Sequence, residues 1–413
     1  MNYCPEIAAG LYYIGANDRR LSRFENMFEL ATGVSYNSYL LKGEKTVVFD
    51  GIDSAVSELH FDAINQVLAG RPLDYLVVHH VEPDHCASIT AILRYFPEAT
   101  MVISKRGLSF LQQFYPNTAD EGLNFEARAQ IVGEGDELDL GDRKLSFIDA
   151  PNVHWPEVIM SYDNKSKTLF SADAFGSFKA IDGHLFADQV DYDRDWLDEA
   201  RRYYINIVGR QGAAVQKVLK KAGGLDIKMI CPLHGLIFRT PESIQTIINK
   251  YDIWSSYRPE IKGALICYSS MYGNTALVAD KLAGALSQAG VKHIRVHDVA
   301  ETEISEIISD MFCYSHIILS AMNYNTELFP KMDALLREVK MLNFGNRRIA
   351  FMNSMSWGGR SLPIAREILS GCKDITEITD PFVIKSALDS SQLEDLGHFA
   401  ADIAADLEAY ELC

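Results

Sequence analysis

Short runs of β-branched and aliphatic residues alternate with amphipathic stretches through the first 258 residues of the chain. The runs predict buried strands, and the amphipathic stretches predict helices. The predicted strands are 10–14, 35–41, 46–50, 73–78, 101–103, 131–132, 144–148, 158–162, 168–171 and 229–231. The predicted helices are 55–68, 87–96, 108–114, 191–207, 213–221 and 241–251. We therefore expect mixed sheets covered by outer helices.

The pattern changes at Pro259, which ends the last of these helices. Beyond it, strands and helices are predicted in regular alternation, at 263–268, 275–289, 316–320, 329–340, 348–352 and 362–370, with a last helix at 391–408. Successive strand–helix units imply a parallel, doubly wound sheet. We therefore predict an α/β chain with one domain at 1–258 and a second at 259–413.

Composition and net charge disfavour several kinds of binding partner and a membrane location. The 413 residues are 48% hydrophobic and 23% charged, which is ordinary for globular domains. A net charge of -17 makes nucleic acid and anionic membrane surfaces unfavourable partners. No apolar run reaches the roughly 20 residues of a membrane span, and the start lacks the features of a signal peptide. We therefore expect a cytoplasmic protein.

The chain has 7 cysteines, at positions 4, 86, 231, 267, 313, 372 and 413. They form no C-x-x-C pair, which argues against a disulfide framework and against an iron–sulfur or rubredoxin module in this chain. Any rubredoxin-like electron donor would then be a separate protein. Cys86 lies beside a ligand-type histidine, and we interpret it as a small buried hydrophobic residue.

The candidate chemistry centres on residues 80–85, His-Val-Glu-Pro-Asp-His, which follow the predicted strand 73–78. Proline fixes its own φ and favours an extended Glu82, so we expect a non-helical turn. A polar loop that merely contains two histidines is the alternative. Further ligand-type residues follow other predicted strands, which favours two metal ions. The candidate ligands are His80, Glu82, Asp84, His85, His154, Asp173 and His234. Strand alternation directs the neighbouring His79 to the opposite face.

A second candidate site follows the first strand of the predicted parallel sheet. The turn consists of Ser269, Ser270, Met271, Tyr272, Gly273, Asn274 and Thr275. Hydroxyl groups and free backbone amides at a helix N-terminus favour an anion. Helix capping alone would explain the serine and threonine but not the whole run. There is no G-x-G-x-x-G sequence to indicate a dinucleotide, so a mononucleotide is favoured.

Together, the H-x-E-x-D-H sequence, the later histidines and aspartate, and the flavodoxin-type turn resemble the flavodiiron proteins. Related hydrolases have a histidine where this chain has Glu82, and the extra carboxylate favours iron over zinc. The resemblance implies a metallo-β-lactamase-like αββα sandwich followed by a flavodoxin-like FMN domain. It assigns one iron to His80, Glu82 and His154 and another to Asp84, His85 and His234, with Asp173 as the bridge.

The resemblance also implies two later flavin-binding loops. These comprise Met322, Asn323, Tyr324, Asn325 and Thr326 in one, and Ser354, Met355, Ser356, Trp357, Gly358 and Gly359 in the other. Both depart from the family pattern: the first is one residue longer and lacks a proline and a glycine, and the second lacks its initial glycine. Trp155 and Pro156 match the family, where they hold His154 in place. Tyr203 and Tyr204 either approach the metals or pack against the sheet.

The function that this resemblance implies is reduction of dioxygen to water, of nitric oxide to nitrous oxide, or of both. It further implies a separate rubredoxin-type or flavin reductase donor and a head-to-tail homodimer or dimer of dimers. A metal-dependent hydrolase with an appended flavodoxin is the main alternative, but Glu82 and an FMN site argue against it. A non-enzymatic electron carrier or redox sensor would leave the metal ligands without a purpose.

Overall fold

The computed structural model describes residues 3–412. Cys413 and the first two residues, which entered the expectations about cysteines and the N-terminus, lie outside the described residues. The chain divides into two compact units. The first extends to Tyr204 and resumes at Ala213–Asp252, and the second comprises Ile205–Gly212 and everything from Ile253 onward. The predicted boundary between 258 and 259 stays a prediction.

The first unit contains more strands than helices, and its strands are short. They are β1 (Glu6–Ala8), β2 (Leu11–Tyr13), β3 (Ala16–Asp18), β4 (Arg23–Phe24), β5 (Phe28–Glu29), β6 (Val34–Tyr36), β7 (Tyr39–Lys42), β8 (Thr46–Phe49), β9 (Tyr75–Val78), β10 (Thr100–Ser104), β11 (Ala129–Val132), β12 (Glu137–Asp139), β13 (Lys144–Asp149), β14 (Ile159–Asp163), β15 (Thr168–Phe170) and β16 (Met229–Cys231). The helices are α1 (Ser57–Leu68), α2 (Pro83–Cys86), α3 (Ile89–Tyr95), α4 (Lys105–Phe114), α5 (Phe125–Arg128), α6 (Tyr192–Asp195), α7 (Leu197–Tyr203), α8 (Gly212–Ala222) and α9 (Pro241–Ser255).

Two sheets form the centre of this unit. One has the order β1-β2-β7-β8-β9-β10-β11, and the other has the order β12-β13-β14-β15-β16. Their inner faces meet where Phe49 of β8 stacks on Phe170 of β15, with ring centroids 3.8 Å apart. Because β8, β9 and β10 are parallel, their carboxyl ends lie at one edge of the sheet. Helices α1 and α3 pack on this sheet through buried residues such as Ile64 and Ile92. The predicted mixed sheets with outer helices are confirmed.

Two predicted elements are interrupted. The strand predicted at 35–41 is divided into β6 and β7, because Asn37 turns away to bond the backbone of residues 232–235. Its side-chain amide donates to the carbonyl oxygens of Pro232 and Gly235, each at 2.9 Å. The helix predicted at 191–207 is also wrong as one element. It breaks at Trp196 between α6 and α7, and α7 passes into a π-helical turn, Tyr204–Val208.

The second unit is built on one sheet that is parallel except for a two-residue strand. Its strands are β17 (Ile261–Tyr268), β18 (Ile294–Asp298), β19 (Tyr314–Tyr324), β20 (Glu327–Leu328), β21 (Gly345–Met355), β22 (Lys373–Glu377) and β23 (Phe382–Lys385). Its helices are α10 (Asn274–Gln288), α11 (Ile304–Cys313), α12 (Pro330–Met341), α13 (Ser361–Leu369) and α14 (Leu393–Ala409). The order β18-β17-β19-β21-β22, with β23 also on β21, places a switch point between β17 and β19.

The predicted doubly wound sheet is confirmed, but the sequence pattern missed several of its elements. Strand β18 is an edge strand with polar residues on it, so its apolar run is weak. Helix α11 is buried almost throughout and continues directly into β19 without a turn, which removes both the amphipathic signal and the boundary. Strand β22 was missed because its residues are mostly polar and exposed, as in β18. Strand β23 was missed because it has only four residues and its apolar run is short.

Candidate metal and flavin sites

The turn after β9 carries most of the candidate metal ligands. Glu82 is extended, at φ -63° and ψ 141°, as proline at the next position predicts. The expectation of a non-helical turn is wrong, because residues 83–86 form the helical turn α2 with Pro83 at its first position. A proline there loses no hydrogen bond, since the first amides of a helix have no internal partner. The turn brings Asp84 and His85 back toward the strand end.

The remaining candidates come from loops at the ends of other strands. His154 lies between β13 and β14, Asp173 follows β15, and His234 follows β16. Strands β15 and β16 are parallel neighbours, so their following loops emerge together. All these side chains are largely buried.

The seven side chains converge as two groups. The first donor group is His80, Glu82, His154 and Asp173, and the second donor group is Asp84, His85 and His234. In the first, Glu82 Oε2 lies 3.0 Å from His80 Nε2 and 2.9 Å from His154 Nε2. In the second, the Nε2 atoms of His85 and His234 are 3.0 Å apart. Asp84 Oδ2 lies 3.3 Å from each of them.

Asp173 is shared between the groups. Its Oδ2 lies 3.4 Å from His80 Nε2 and 3.2 Å from His154 Nε2. Its Oδ1 lies 3.1 Å from His85 Nε2 and 3.7 Å from His234 Nε2. One carboxylate therefore presents a different oxygen to each donor group, which is the arrangement that a bridging ligand requires.

The electrostatics of these groups are those of a cation site. Burial disfavours the charged form of His154, but hydrogen bonds with Asp173 and Glu82 raise its pKa to about 9. Burial likewise opposes the charge of His85, whereas Asp84 and Asp173 raise its pKa to about 9. The buried carboxylates thus stabilise positive charge at the imidazole nitrogens that point toward them.

Aromatic rings pack around the second donor group. The ring centroid of His234 lies 5.4 Å from that of Phe24, 5.7 Å from that of Tyr36 and 5.5 Å from that of Tyr203. Tyr203 is therefore close to the donors, and its buried hydroxyl has no hydrogen-bond partner among residues 3–412. The ring of Tyr204 instead packs on Tyr251, 4.7 Å away.

The two neighbours of the ligand sequence belong to neither donor group. His79 Nδ1 lies 2.5 Å from Asp50 Oδ2, and its Nε2 lies 2.7 Å from Ser161 Oγ. Cys86 is buried, and its thiol donates to the carbonyl oxygen of Val81 at 3.1 Å. Burial raises the pKa of this thiol to about 12.

Three residues near the donors were not anticipated. Glu157 Oε1 accepts a hydrogen bond from His80 Nδ1 at 2.9 Å, and the carbonyl oxygen of Ser35 accepts one from His234 Nδ1 at 2.8 Å. Glu25, between β4 and β5, is exposed as a residue, but it hydrogen-bonds with Glu82, and desolvation of its carboxyl group together with this bond raises the pKa of Glu25 to about 8. Of these three residues, only Glu157 lies close in sequence to a predicted ligand, three residues after His154, and this closeness was the only available signal.

The candidate flavin site is a cavity of about 270 Å³ at the switch point of the second unit. Most of the predicted residues line it: Ser270, Met271, Tyr272, Asn274, Thr275, Met322, Asn323, Asn325, Thr326, Ser354, Met355, Ser356, Trp357 and Gly358. Ser386, from the loop after β23, also lines the cavity and was not predicted. The predicted residues Ser269, Gly273, Tyr324 and Gly359 lie beside it rather than in its lining.

The loops of this cavity are tied together by Asn323. Its side-chain amide donates to the carbonyl oxygen of Ser354 at 3.0 Å, and its Oδ1 accepts from the Ser361 amide at 3.1 Å. Asn325 and Thr326 adopt φ values of 51° and 66°, the region that favours glycine. The loop therefore keeps a left-handed turn without the glycine of the family pattern.

Comparison with known proteins identifies the chain. A sequence profile described as ODP family beta lactamase matches residues 34–235. An anaerobic nitric oxide reductase flavorubredoxin of Aeromonas hydrophila is 30% identical over 355 residues, which cover 84% of this chain and 69% of that protein. An uncharacterised protein of Methanocaldococcus jannaschii is 32% identical over 334 residues, 80% of each chain. The chain belongs to the flavodiiron protein family.

Solved structures of flavodiiron proteins share both domains. The flavodiiron protein of Giardia intestinalis has a TM-score of 0.90 at 26% identity, covering 99% of this chain and 98% of that one. The rubredoxin oxygen:oxidoreductase of Desulfovibrio gigas has a TM-score of 0.88 at 26% identity, covering 98% and 99%. The predicted metallo-β-lactamase-like and flavodoxin-like domains are confirmed, and this flavodiiron protein is an oxidoreductase rather than a hydrolase.

The donor set of this flavodiiron protein fits the metals that the family implies. Both carboxylate oxygens of Asp84 and of Asp173 are buried and accept no well-directed hydrogen bond within residues 3–412. The facing Nε2 atoms of His85 and His234 can share at most one proton between them. Such atoms need a cation, and a mixture of carboxylate and imidazole donors suits iron.

The cavity of this flavodiiron protein likewise fits a mononucleotide. Helix α10 begins there, and its N-cap, Gly273, offers no side chain to satisfy the first amides of the helix. The buried hydroxyl of Ser269 has no hydrogen-bond partner among the described residues. Trp357 and Tyr272 are 89% and 88% exposed, so their rings are available to a planar ligand.

No helix between residues 3 and 412 combines the length and apolar character that a membrane crossing requires.

Proposed function

We propose that this flavodiiron protein binds two iron ions and one FMN and reduces dioxygen to water, nitric oxide to nitrous oxide, or both. The observation that carries the proposal is the shared Asp173, whose two oxygens face the two donor groups separately. A single ion would use only one of these groups. If the side chains formed only structural ion pairs, the buried oxygens of Asp84 and Asp173 would be expected to accept well-directed hydrogen bonds, and they accept none within residues 3–412.

The first donor group would hold one iron through His80, Glu82 and His154, and the second would hold the other through Asp84, His85 and His234. Asp173 would bridge them. Glu82 supports iron over zinc, since it replaces a neutral imidazole with a hard anionic oxygen. The 269–275 turn would hold the FMN phosphate, and the loops at 322–326 and 354–359 would contact its ring system.

Two ferrous ions and one reduced FMN supply four electrons, enough to convert one dioxygen and four protons to two waters; two nitric oxide molecules need only two electrons and two protons to give nitrous oxide and water. The chain's own contribution is positional. It holds the donor side chains close together in a buried site and surrounds His234 with Phe24, Tyr36 and Tyr203, which exclude water from that side.

The proposal includes partners. The electron donor would be a separate rubredoxin-type or flavin reductase protein, and the working assembly would be a head-to-tail homodimer or a dimer of such dimers. The names of the relatives support both gases as candidates, since one is a nitric oxide reductase and another an oxygen oxidoreductase. A cytoplasmic location is supported by the described cysteines, which are all free thiols.

A steady-state assay tests the proposal. Iron- and FMN-loaded protein is supplied with a chemically reduced rubredoxin, and consumption of each gas is followed together with peroxide and nitrous oxide. We expect consumption of at least one gas without accumulation of peroxide. His85→Ala should lower iron to about one ion per chain, because it removes one ligand of the second donor group and leaves the first intact. Loaded protein that consumed neither gas would overturn the proposal.

A further inference from the structure

The histidines of the two donor groups are supported differently on the side away from the donors. His80 Nδ1 donates to Glu157 Oε1 at 2.9 Å, and the Val81 amide donates to the same oxygen at 3.2 Å. Glu157 is only 4% exposed, and its backbone carbonyl accepts from Ser104 Oγ at 2.9 Å. A buried carboxylate, held in place by these contacts, therefore lies behind His80.

The second donor group has no such carboxylate. His234 Nδ1 donates to the backbone carbonyl oxygen of Ser35 at 2.8 Å, which is a neutral acceptor. His85 Nδ1 is buried and has no hydrogen-bond partner in the described part of the chain. On the side away from the donors, the His234 ring is thus held by a neutral carbonyl group, whereas the His85 ring is held there by packing alone.

This difference changes how strongly each group binds a cation. A carboxylate that accepts the outer N–H of a histidine makes the inner nitrogen a better electron donor and fixes the ring orientation. The effect is strong in a buried site, where charges are poorly screened. The carboxylates also differ in number: Glu82, Asp173 and Glu157 lie at or behind the first donor group, whereas only Asp84 and Asp173 belong to the second.

We propose that Glu157 is a positioning residue that makes the first donor group the tighter of two unequal metal positions. The metal-free protein then loads a divalent ion at His80, Glu82 and His154 first, and the second donor group fills at higher metal concentration. This inference rests on the proposed function in one respect, since it requires that both groups bind metal.

Anaerobic titration of the metal-free full-length protein with Co²⁺, followed by visible absorption, measures the order of loading. We expect two binding phases of one ion each. His154→Ala should abolish the tighter phase, and His234→Ala should abolish the weaker one. These two variants locate each phase without any change at Glu157.

Glu157→Gln tests the role of the charge. Glutamine retains an oxygen that can accept the His80 N–H but carries no negative charge, so a purely steric role would survive. We expect the tighter phase to weaken by about 10- to 100-fold, the range for such outer partners. The weaker phase should change by less than about threefold, since no contact of Glu157 with the second donor group exists among the described residues. Glu58→Gln, an exposed carboxylate on α1, is the matched control and should alter neither phase.

The inference is overturned if Glu157→Gln leaves the tighter phase unchanged, if it weakens both phases equally, or if His234→Ala removes the first ion bound. Circular dichroism checks that each variant is folded. If Glu157→Gln does not fold, the comparison of His154→Ala with His234→Ala alone decides the loading order. Saturation at fewer than two Co²⁺ per wild-type chain is a different outcome, because it would overturn the two-metal site of the proposed function itself.

Discussion

In the proposed metal site, Asp173 has the most demanding role of any single side chain. It is 1% exposed, and each of its oxygens faces a different donor group. Asparagine has almost the same shape, but it is neutral and offers only one oxygen. Loss of the bridge should therefore affect both metal positions, unlike loss of a ligand that belongs to one.

Asp173→Asn should lower the iron content from two ions to one or fewer per chain and decrease gas reduction by more than about 100-fold. Plasma emission spectrometry of the purified protein measures the first effect, and an oxygen electrode measures the second. Asp182→Asn, at an exposed aspartate, is the control and should retain both properties. Full iron occupancy in Asp173→Asn would contradict the bridging role.

The buried His60 makes the free energy of unfolding depend on pH in the acidic range. Its Nε2 lies 2.9 Å from Ser38 Oγ, and burial lowers the pKa of His60 to about 3. In the unfolded chain a histidine binds a proton near pH 6.5. Since the unfolded state gains this proton well before the folded state does, the free energy of unfolding decreases as the pH falls below 6.5.

The wild-type protein should therefore lose about 2 kcal/mol at pH 5 through His60 alone, and His60→Gln should remove this share of the pH dependence. Urea midpoints measured at pH 7 and pH 5 test this expectation. His184→Gln, at an exposed histidine, should keep the wild-type dependence. An unchanged difference between the two midpoints in His60→Gln would show that the ring takes up no proton on unfolding in this range.

At the scale of elements, strand ends determine where the donors lie, and this much could be predicted from the sequence. The apolar run of β9 ends two residues before His80, and β15 and β16 each end three residues before Asp173 and His234. The helical turn α2 could not be predicted from Pro83 alone. Proline is excluded from helix interiors but is well accommodated at the first position, and only the following contacts distinguish the two.

The hydrogen-bond acceptors for the outer nitrogens of His80 and His234 could not be predicted from the spacing of the ligands, because they come from distant parts of the chain. Glu157 is 77 positions from His80, and Ser35 is 199 positions from His234. Ser35 also acts through its backbone carbonyl, so its residue type carries no information about the contact. Residue patterns indicate which side chains can bind a metal, whereas the sheet pairing determines what lies behind them.

Gly359 lies where two elements of the flavin site approach closely. A Cβ added there would lie 1.8 Å from Asn323 Oδ1, which accepts a hydrogen bond from the amide of Ser361. The loops at 322–326 and 354–359 would therefore have to separate in Gly359→Ala.

We expect Gly359→Ala to weaken FMN binding by at least about tenfold, because distortion of a site by 1 Å or more is costly. Flavin fluorescence quenching with the flavin-free protein measures this affinity. Gly284→Ala, in α10, adds the same methyl group where no atom lies within 4 Å, and it should leave the affinity unchanged. Equal affinities for both variants would show that these loops do not hold the flavin.

For the molecule as a whole, the two-domain organisation and the family follow from features that survive in a single sequence. The resemblance rests on the spacing of the ligands in the first domain and on an anion-binding turn in the second domain. Membership of the flavodiiron family is confirmed. Assembly is different, because nothing in composition or strand pattern reports which surfaces meet. The head-to-tail homodimer therefore remains an implication of the family.

Mixed dimers test this assembly. A variant that lacks iron ligands, His80→Ala with His85→Ala, is combined with the flavin-free form of Gly359→Ala, whose FMN binding is weakened, and no FMN is added to the mixture. If the flavin of one chain serves the irons of the other, heterodimers should regain up to about half of the wild-type activity, because only one of two electron routes is intact. Complete absence of recovery in purified heterodimers would instead indicate transfer within one chain.

The central claim is that two irons and one FMN in this chain act together on a diatomic gas. Its most direct test is a single-turnover reaction of the fully reduced, anaerobic protein with dioxygen and, separately, with nitric oxide, on samples whose iron and flavin have been quantified. The account predicts two irons and one FMN per chain. The four electrons of the reduced chain should consume one dioxygen without peroxide, or convert four nitric oxide molecules to two nitrous oxide molecules. Protein containing one zinc and no iron, flavin released as FAD, or a fully loaded sample that reacts with neither gas would contradict it.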